Sequence, residues 1–154
     1  MPATTLESVT IVCPHCERTN RAPAERLRAG ALPKCGSCGE PLFSGTPSEV
    51  SSAEAFRTHL RGDSIPVVVD FWAAWCGPCR VMGPQFAASA RVLEPSVRLL
   101  KVDTEALPDI AAEYAIRSIP MLILFENGRE VARRAGASSA SDIVAWVRQN
   151  ASPL

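Results

Sequence analysis

The sequence predicts a mixed α/β domain that follows a small cysteine-rich module. Strand-like and helix-like apolar segments alternate from about residue 48 onward, and a hairpin and a helix close the chain. Four of the six cysteines lie in the first 45 residues, which otherwise offer little that could form a core. A length of 154 residues suits one ordinary domain with such an appendage. We therefore place the two modules at 1–45 and 48–154.

The composition argues against two classes of partner. The chain carries 16 basic and 16 acidic residues, and the first 45 residues carry five basic against four acidic ones, whereas nucleic-acid binding needs a basic surface. The longest apolar runs, such as 121–125, are too short to cross a membrane.

The first twelve residues lack a basic segment followed by an apolar one, so we expect a cytoplasmic protein. Because thiols stay reduced there, six cysteines indicate metal binding or redox catalysis.

The first half of the α/β domain contains two strands and two helices. A stretch rich in Gly, Pro and Ser at 43–52 predicts a linker that runs into a first strand. Two serines followed by an acid predict a helix over 52–61. The apolar run at 66–72, which contains one acid, is typical of a strand buried on both faces. Residues 76–93 have a helical pattern, and Pro84 inside it predicts a kink.

The second half adds three strands and two helices. Residues 97–102 are a strand candidate, and a proline at the first position predicts a short helix over 108–114. Strands at 121–125 and 130–135 flank an Asn-Gly pair, which is typical of a hairpin turn. A helix over 139–150 closes the chain. This alternation predicts a mixed sheet covered by helices on both faces.

Two Cys-x-x-Cys pairs, separated by eighteen residues, predict a metal site in the N-terminal module. The spacing is that of a four-cysteine zinc ribbon, in which two knuckles bring four thiolates into a tetrahedron. Gly36 and Gly39 favour the tight turn of the second knuckle, and zinc would supply the folding energy that 45 residues lack. Two disulfides or four free thiols are the alternatives, and His15 is either an exposed residue or a replacement for one thiolate. The predicted ligands are Cys13, Cys16, Cys35 and Cys38.

The segment 75–79, Trp-Cys-Gly-Pro-Cys, predicts a redox-active cysteine pair. It follows the buried strand and opens a helix, so Cys76 lies where free N–H groups and the helix dipole favour a thiolate. Pro78 suits a first helical turn, and Cys79 lies on the same face within disulfide reach. We expect an exposed Cys76 to attack a substrate disulfide and a more buried Cys79 to resolve the mixed disulfide. Another zinc knuckle is the alternative, but no further Cys-x-x-Cys is left to complete it.

Two other positions suggest roles beside the redox pair. Asp70 is costly to bury, and it is interpreted either as a proton acceptor for Cys79 or as a structural partner of Lys101 on a neighbouring strand. Pro120 precedes a strand. It is either a cis proline that faces the redox pair and exposes a backbone edge to an extended substrate, or a trans proline at a strand start, which base rates favour.

Together these residues resemble the thioredoxin family. The motif at 70–79, Asp-Phe-Trp-Ala-Ala-Trp-Cys-Gly-Pro-Cys, is followed by Pro84, Lys101, 119–120 and Gly136 in the family's order and approximate spacing. The resemblance covers about 48–150. With the N-terminal cysteines, the whole chain is similar to the thioredoxin 2 type, a thioredoxin domain behind a zinc-binding extension. One departure is an alanine at position 74, where many relatives carry a charged or bulkier residue.

The resemblance implies a thioredoxin fold, with a five-stranded mixed sheet flanked by four helices, and a protein-disulfide reductase. It implies Cys76 as nucleophile, Cys79 as resolving thiol, and Asp70 as a buried acid whose partner is Lys101. It implies a cis Pro120. Electrons would come from an NADPH-dependent flavin reductase, so we expect no bound redox cofactor, and we expect a monomer. The implied substrate-binding residues are Trp75, Gly77, Pro78, Ile119, Pro120 and Gly136.

Other functions stay open at this point. A disulfide isomerase or an oxidant would use the same cysteine pair, and the reduction potential would distinguish them. A binding protein, in which the ribbon recruits a partner, would keep its function after Cys76→Ser. The zinc module itself would either dock partners or sense oxidation, because zinc thiolates are oxidisable.

Overall fold

The structure, a computed structural model, describes residues 7–154. The first six residues of the predicted N-terminal module lie outside this range. None of the helices in the described range is long and apolar enough to span a membrane. The strands and helices, in chain order, are β1 (Ser8–Val12), β2 (Thr19–Pro23), α1 (Ala24–Arg28), β3 (Ser48–Val50), α2 (Ala53–Gly62), β4 (Val67–Trp72), α3 (Gly77–Leu93), β5 (Arg98–Asp103), α4 (Pro108–Glu113), β6 (Met121–Glu126), β7 (Arg129–Ala135) and α5 (Ala140–Asn150).

The larger sheet has five strands in the order β3-β5-β4-β6-β7. Strands β3, β5 and β4 are parallel, and β6 and β7 are antiparallel to their neighbours. The turn between β6 and β7 uses positive φ angles at Asn127 and Gly128, as a tight hairpin turn requires. The prediction of a five-stranded mixed sheet with four flanking helices is confirmed.

Two apolar cores cover the two faces of this sheet. On one face, Phe56 of α2 and Ile110 of α4 pack against apolar residues of the central strands. On the other, Phe86 of α3 and Trp146 of α5 pack against the opposite side of the same strands. Because alternate residues of a strand point to opposite faces, the run in β4 supplies both cores, which explains why it is apolar apart from Asp70.

Local signals set the ends of the helices much as predicted. Ser52 caps α2 by accepting the N–H of Ala55 at 3.0 Å. Ser139 caps α5 in the same way. A proline occupies the first turn of α4, and Pro84 is accommodated inside α3, which continues through it. The predicted elements therefore agree with the observed ones to within about two residues, the usual uncertainty of helix and strand ends.

The N-terminal segment differs from the prediction, because it does form a small core. Strands β1 and β2 pair as a hairpin beside α1, and the buried residues of this region pack together with Ile65 of the larger domain. The expectation that residues 1–45 offer little core was wrong. Their apolar residues are few and spread over short elements, so periodicity does not reveal them. They are Ile11, Cys13, Ala22, Leu27, Cys35, Leu42 and Phe43.

A buried polar network joins this segment to the larger domain. Asp63, just after α2, accepts the N–H of Val12 at 2.8 Å and contacts Nδ1 of His59 at 2.7 Å. Arg98, at the start of β5, donates to the carbonyl oxygens of Val12 and Leu42 at 2.9 and 2.8 Å. The side chains of His59, Asp63 and Arg98 are all buried. The cysteine-rich segment is therefore attached through its backbone on both sides of its cysteines, at Val12 and at Leu42.

Candidate redox and metal sites

The redox cysteines lie where β4 gives way to α3. Cys76 is the residue that caps α3, and its Sγ accepts the backbone N–H of Cys79 at 3.2 Å. Pro78 occupies the first turn, where it has no N–H to leave unpaired. The free N–H groups and the positive end of the helix dipole therefore both act on the sulfur of Cys76, and both stabilise a negative charge there.

The two cysteines are joined in a disulfide, with their Cα atoms 5.2 Å apart. The predicted disulfide reach is thus confirmed. The expectation of an exposed Cys76 and a more buried Cys79 is not borne out, since the two residues are 4% and 5% exposed. Both cysteines belong to a small buried cluster with Ala73, against which Trp72 and Ile119 pack. Burial in this oxidised state therefore does not distinguish the attacking sulfur from the resolving one.

A groove of 410 Å³ opens beside Cys76. Trp75, which is 65% exposed, forms part of it together with Gly77, Pro78 and Ile119. The carbonyl oxygen of Ile119 lies 3.7 Å from Sγ of Cys76. Sequence reasoning missed the rest of the lining, because these residues come from the loops after β5 and α4 and carry no local motif. They are Thr104, Ile116, Arg117 and Ser118.

Two of the predicted substrate-binding residues, Pro120 and Gly136, are not among the residues that line this groove. The Ile119–Pro120 peptide bond is cis, as the family resemblance implied, and Pro120 itself is buried. Its carbonyl oxygen accepts the N–H of Gly136 at 3.0 Å. Gly136 is exposed and has a φ of 90°, a conformation that favours glycine. This contact ties the end of β7 to the loop that faces Cys76.

Asp70 is a buried carboxyl group in the middle of β4. The residue is 1% exposed, and its Oδ1 has no hydrogen-bond partner among residues 7–154. Burial raises the pKa of Asp70 to about 7, nearby Lys101 opposes this rise, and Glu49 adds to it. A carboxyl group that titrates near neutrality is able to accept and release a proton at physiological pH.

Lys101 lies beside Asp70 but does not form an ion pair with it. The two residues are directly opposite each other on β5 and β4. Within the described chain no side-chain N–O distance of 4.0 Å or less joins them, and the Lys101 ammonium lies over the ring of Trp72, 4.8 Å from its centroid. The Trp72 indole in turn donates to Oε2 of Glu49 at 3.2 Å. No sequence motif indicated Glu49.

The four remaining cysteines form a compact cluster in the N-terminal segment. All four Sγ atoms lie within 4.8 Å of one another. The Cys13–Cys38 and Cys16–Cys35 Sγ distances are 3.7 and 3.6 Å. A zinc ion with Zn–S bonds of about 2.3 Å in a tetrahedron requires S–S distances of about 3.8 Å. The donor type, the number of donors and the spacing therefore all fit zinc.

The two Cys-x-x-Cys knuckles have the same hydrogen-bond pattern. In each knuckle, the N–H of the first cysteine donates to the carbonyl oxygen of the residue five positions later in the chain. The N–H of the residue two positions after that cysteine donates to its Sγ. The residue directly after the second cysteine has a positive φ: Glu17 in the first knuckle and Gly39 in the second. A backbone N–H therefore faces a cysteine sulfur in both knuckles, and of the two glycines only Gly39 has a positive φ.

Asn20 supports the second knuckle and was not predicted. Its side chain donates to Sγ of Cys35 at 3.5 Å and accepts the N–H of Gly36 at 2.9 Å. The backbone N–H of Cys38, this amide and the N–H of Ser37 lower the pKa of Cys35 to about 6. These donors therefore stabilise a thiolate at Cys35, the form in which cysteine binds metal. At Cys16 and Cys38, a backbone hydrogen bond is outweighed by burial and the neighbouring thiols, which raise the pKa.

Family comparisons match two separate parts of the chain. Residues 47–149 match the family described as Thioredoxin. Residues 12–40 match the family described as Thioredoxin 2, N-terminal, which is named as a zinc ribbon. The first match covers the five-stranded sheet and its helices, and the second covers all four clustered cysteines.

Individual relatives agree with these matches. Thioredoxin C-3 of Corynebacterium nephridii is 40% identical over 139 residues, which cover 90% of this chain and 93% of the relative. That alignment is too long to be confined to 47–149, so it extends into the cysteine-rich segment. Thioredoxin of Porphyra purpurea is 44% identical over 96 residues, covering 62% of this chain and 89% of the relative. A solved thioredoxin of Malassezia sympodialis has a TM-score of 0.64 at 33% identity, covering 71% of this chain and 95% of that one.

Proposed function

The chain belongs to the thioredoxin family of thiol–disulfide oxidoreductases, and we propose that it acts as a protein-disulfide reductase. One observation carries this proposal. The sulfur of Cys76 caps α3 and accepts the N–H of Cys79, next to a groove that opens to solvent. A thiolate at this position is stabilised before any substrate arrives, and a protein segment can reach it.

The reaction requires two exchange steps. The Cys76 thiolate attacks one sulfur of a substrate disulfide, the substrate S–S bond breaks, and the first substrate sulfur leaves as a thiolate that takes up a proton. Cys79 then loses its proton to Asp70 and attacks Sγ of Cys76. The mixed disulfide breaks, and the second substrate sulfur leaves as a thiolate that takes up a proton. Two electrons have passed to the substrate, and the Cys76–Cys79 disulfide is the form that the structure contains.

We propose that substrates bind as an extended segment along the groove. The exposed Trp75 ring offers apolar contact area, and the turn containing Gly77 and Pro78 lets a backbone approach the sulfur closely. The loop at Ile119 and Pro120, tied to Gly136, would supply backbone groups for pairing with the substrate. An NADPH-dependent flavin reductase would reduce the resulting disulfide again, so the chain needs no redox cofactor of its own.

For the N-terminal segment we propose one structural zinc ion held by Cys13, Cys16, Cys35 and Cys38. Four thiolates close the coordination sphere, so bound zinc would contribute folding energy and no open catalytic position. The ligand thiols must stay reduced, which favours a cytoplasmic location. We further propose 1–45 and 48–154 as the two modules, with the first one docking partners or responding to oxidation. A monomer without nucleic-acid or membrane contacts completes the proposal.

The test is NADPH-coupled reduction of insulin in the presence of a thioredoxin reductase. Cys76→Ser should abolish turnover, and Cys79→Ser should trap a mixed disulfide with insulin. Ala74→Ser, an exposed neighbour of the pair, is the matched control and should leave turnover unchanged. A reduction potential below about −230 mV supports a reductase, whereas one above about −180 mV would indicate an oxidant or isomerase. Turnover that survives Cys76→Ser would refute the proposal.

A further inference from the structure

Three charged side chains stand in one row across the sheet. Glu49 on β3 is directly opposite Lys101 on β5, and Lys101 is directly opposite Asp70 on β4. Residues that are directly opposite each other in neighbouring strands have their side chains on the same face. Lys101 therefore has a carboxylate on either side, one exposed at the edge of the sheet and one buried.

Among residues 7–154, Lys101 forms no ion pair of 4.0 Å or less with either carboxylate, and its ammonium lies against the ring of Trp72. It lies 4.8 Å from the centroid of the Trp72 ring, and the indole N–H of Trp72 donates to Oε2 of Glu49. Oδ1 of Asp70 has no hydrogen-bond partner within residues 7–154. Glu49 thus fixes the ring over which the ammonium lies and attracts the ammonium itself. Lys101 therefore acts on the buried carboxyl group of Asp70 only from beyond ion-pair distance.

We propose that Glu49 is a positioning residue for the redox site, which competes with Asp70 for Lys101 and so keeps the buried carboxyl group free to exchange a proton. The inference rests on the proposed role of Asp70 in the reductase reaction. It adds a residue at the sheet edge that touches neither substrate nor the redox sulfurs. The physical reason is that, if Asp70 formed a full ion pair with Lys101, its carboxyl group would stay ionised and would hold a proton poorly.

The surroundings of Asp70 contain few other charges. Lys101 and Glu49 are the charged groups that shift its pKa. On the other side of β4 its neighbour is the apolar Leu122 of β6. Beyond that, Arg134 of β7 donates to Ser138. On α3, which packs against the same face of the sheet, Cys79 is held in the disulfide.

The pKa of Glu49 is consistent with this arrangement. Desolvation of the carboxyl group raises it, whereas the hydrogen bond from Trp72 and the charge of Lys101 lower it, and Asp103 raises it further. Lys101 therefore acts on both carboxyl groups of the row. Any change that weakens its attraction to Glu49 releases it towards Asp70.

The experiment is a titration of the Asp70 carboxyl carbon by NMR in the oxidised protein. Glu49→Gln keeps an acceptor for the Trp72 indole but removes the charge, so Lys101 is free to approach Asp70. An opposite charge within about 4–6 Å lowers a carboxyl pKa by roughly 1–3 units, and we expect a fall of about 1 unit. Glu49→Asp, which keeps the charge, should stay nearer the wild-type value. Glu105→Gln, at an exposed turn outside the row, is the matched control and should change little.

A second background tests whether Lys101 transmits the effect. In Lys101→Met, Glu49→Gln should move the Asp70 pKa by less than about a third of its effect in the wild type. No shift beyond that of Glu105→Gln, or an equal shift without Lys101, would overturn the inference. Insulin reduction is measured in the same variants. If Asp70 titrates as expected but the protein reduces no disulfide, the proposed function is refuted and the positioning role of Glu49 stands. If the protein reduces insulin but Glu49→Gln does not shift the Asp70 pKa, the positioning role is refuted and the proposed function stands.

Discussion

The buried Arg98 offers the sharpest test of how the two parts of the chain are held together. The residue is 1% exposed, and its guanidinium donates to the carbonyl oxygens of Val12 and Leu42. Its carbon Cζ lies 4.4 Å from the ring centroid of Phe43, and Nε lies 3.7 Å from Oδ2 of Asp63. The perturbation is Arg98→Met, which keeps much of the volume and removes the charge and every donor.

The expected cost follows from these contacts. Two buried carbonyl oxygens lose hydrogen bonds from a charged donor, and Asp63 loses its cation. Breaking a buried ion pair from one side costs about 3–5 kcal/mol, since the remaining charge stays buried without compensation. We expect the free energy of unfolding to fall by about 4 kcal/mol. For a chain of this size, that corresponds to a fall in Tm of roughly 8–16 °C.

The assay is urea denaturation of the zinc-loaded protein, followed by tryptophan fluorescence and far-UV circular dichroism. Arg148→Met, an exposed arginine on α5, is the matched control and should change stability by less than about 0.5 kcal/mol. Combining Arg98→Met with Asp63→Asn should recover part of the loss, because the stranded charge is then removed. A loss below about 1 kcal/mol for Arg98→Met would refute this account of the junction.

Three further outcomes are expected. Asp70 has a folded-state pKa of about 7 against an ordinary value of 3.8, so the folded chain binds this proton more tightly and its stability falls as pH rises from about 4 to 7. In urea denaturation at pH 8, the free energy of unfolding of Asp70→Asn should therefore exceed that of wild type by up to about 4 kcal/mol, and this difference should vanish towards pH 4. An equal gain in stability at pH 8 and pH 4 would contradict this. Gly62→Ala would bring a Cβ against Cγ2 of the buried Val12. We expect the free energy of unfolding to fall by about 1–3 kcal/mol in the same denaturation experiment. An unchanged free energy of unfolding would contradict tight packing between Gly62 and Val12. Finally, the purified chain should retain about one zinc ion after gel filtration, and Cys38→Ser should lose it and melt at a lower temperature; zinc retention equal to wild type by elemental analysis would exclude the four-thiolate site.

Much of the redox site could be predicted because its signals are local. The Trp-Cys-Gly-Pro-Cys segment, the proline in the first turn and the preceding apolar strand together place Cys76 at a helix start. The acid within β4 is conspicuous because its neighbours are apolar. The spacing of the two Cys-x-x-Cys pairs likewise predicts that their four cysteines form one cluster. In each case the signal is a short motif whose residues lie within one turn or one strand of each other, and for the cluster this motif occurs twice.

The residues that sequence reasoning missed are those whose partners are far away in the chain. Glu49 binds Trp72 across a separation of 23 residues, and Arg98 binds Val12 across 86. The groove lining at Thr104 and Arg117 comes from two separate loops. Nothing in the local pattern around these residues differs from an ordinary surface or strand position. Their roles arise when strand pairing brings distant segments together.

The sequence by itself determined which residues could do chemistry: a thiolate at a helix start, its partner one turn later, a lone buried acid and four thiols at metal-binding spacing. Tertiary structure alone decided how those groups are tuned and joined. In the folded chain the ammonium of Lys101 lies over the ring of Trp72 and forms no ion pair with Asp70. Hydrogen bonds from Arg98 and to Asp63 hold the cysteine-rich segment against the larger domain. The physical reason is that reactivity begins with local geometry, whereas desolvation and charge depend on every segment that folds against the site.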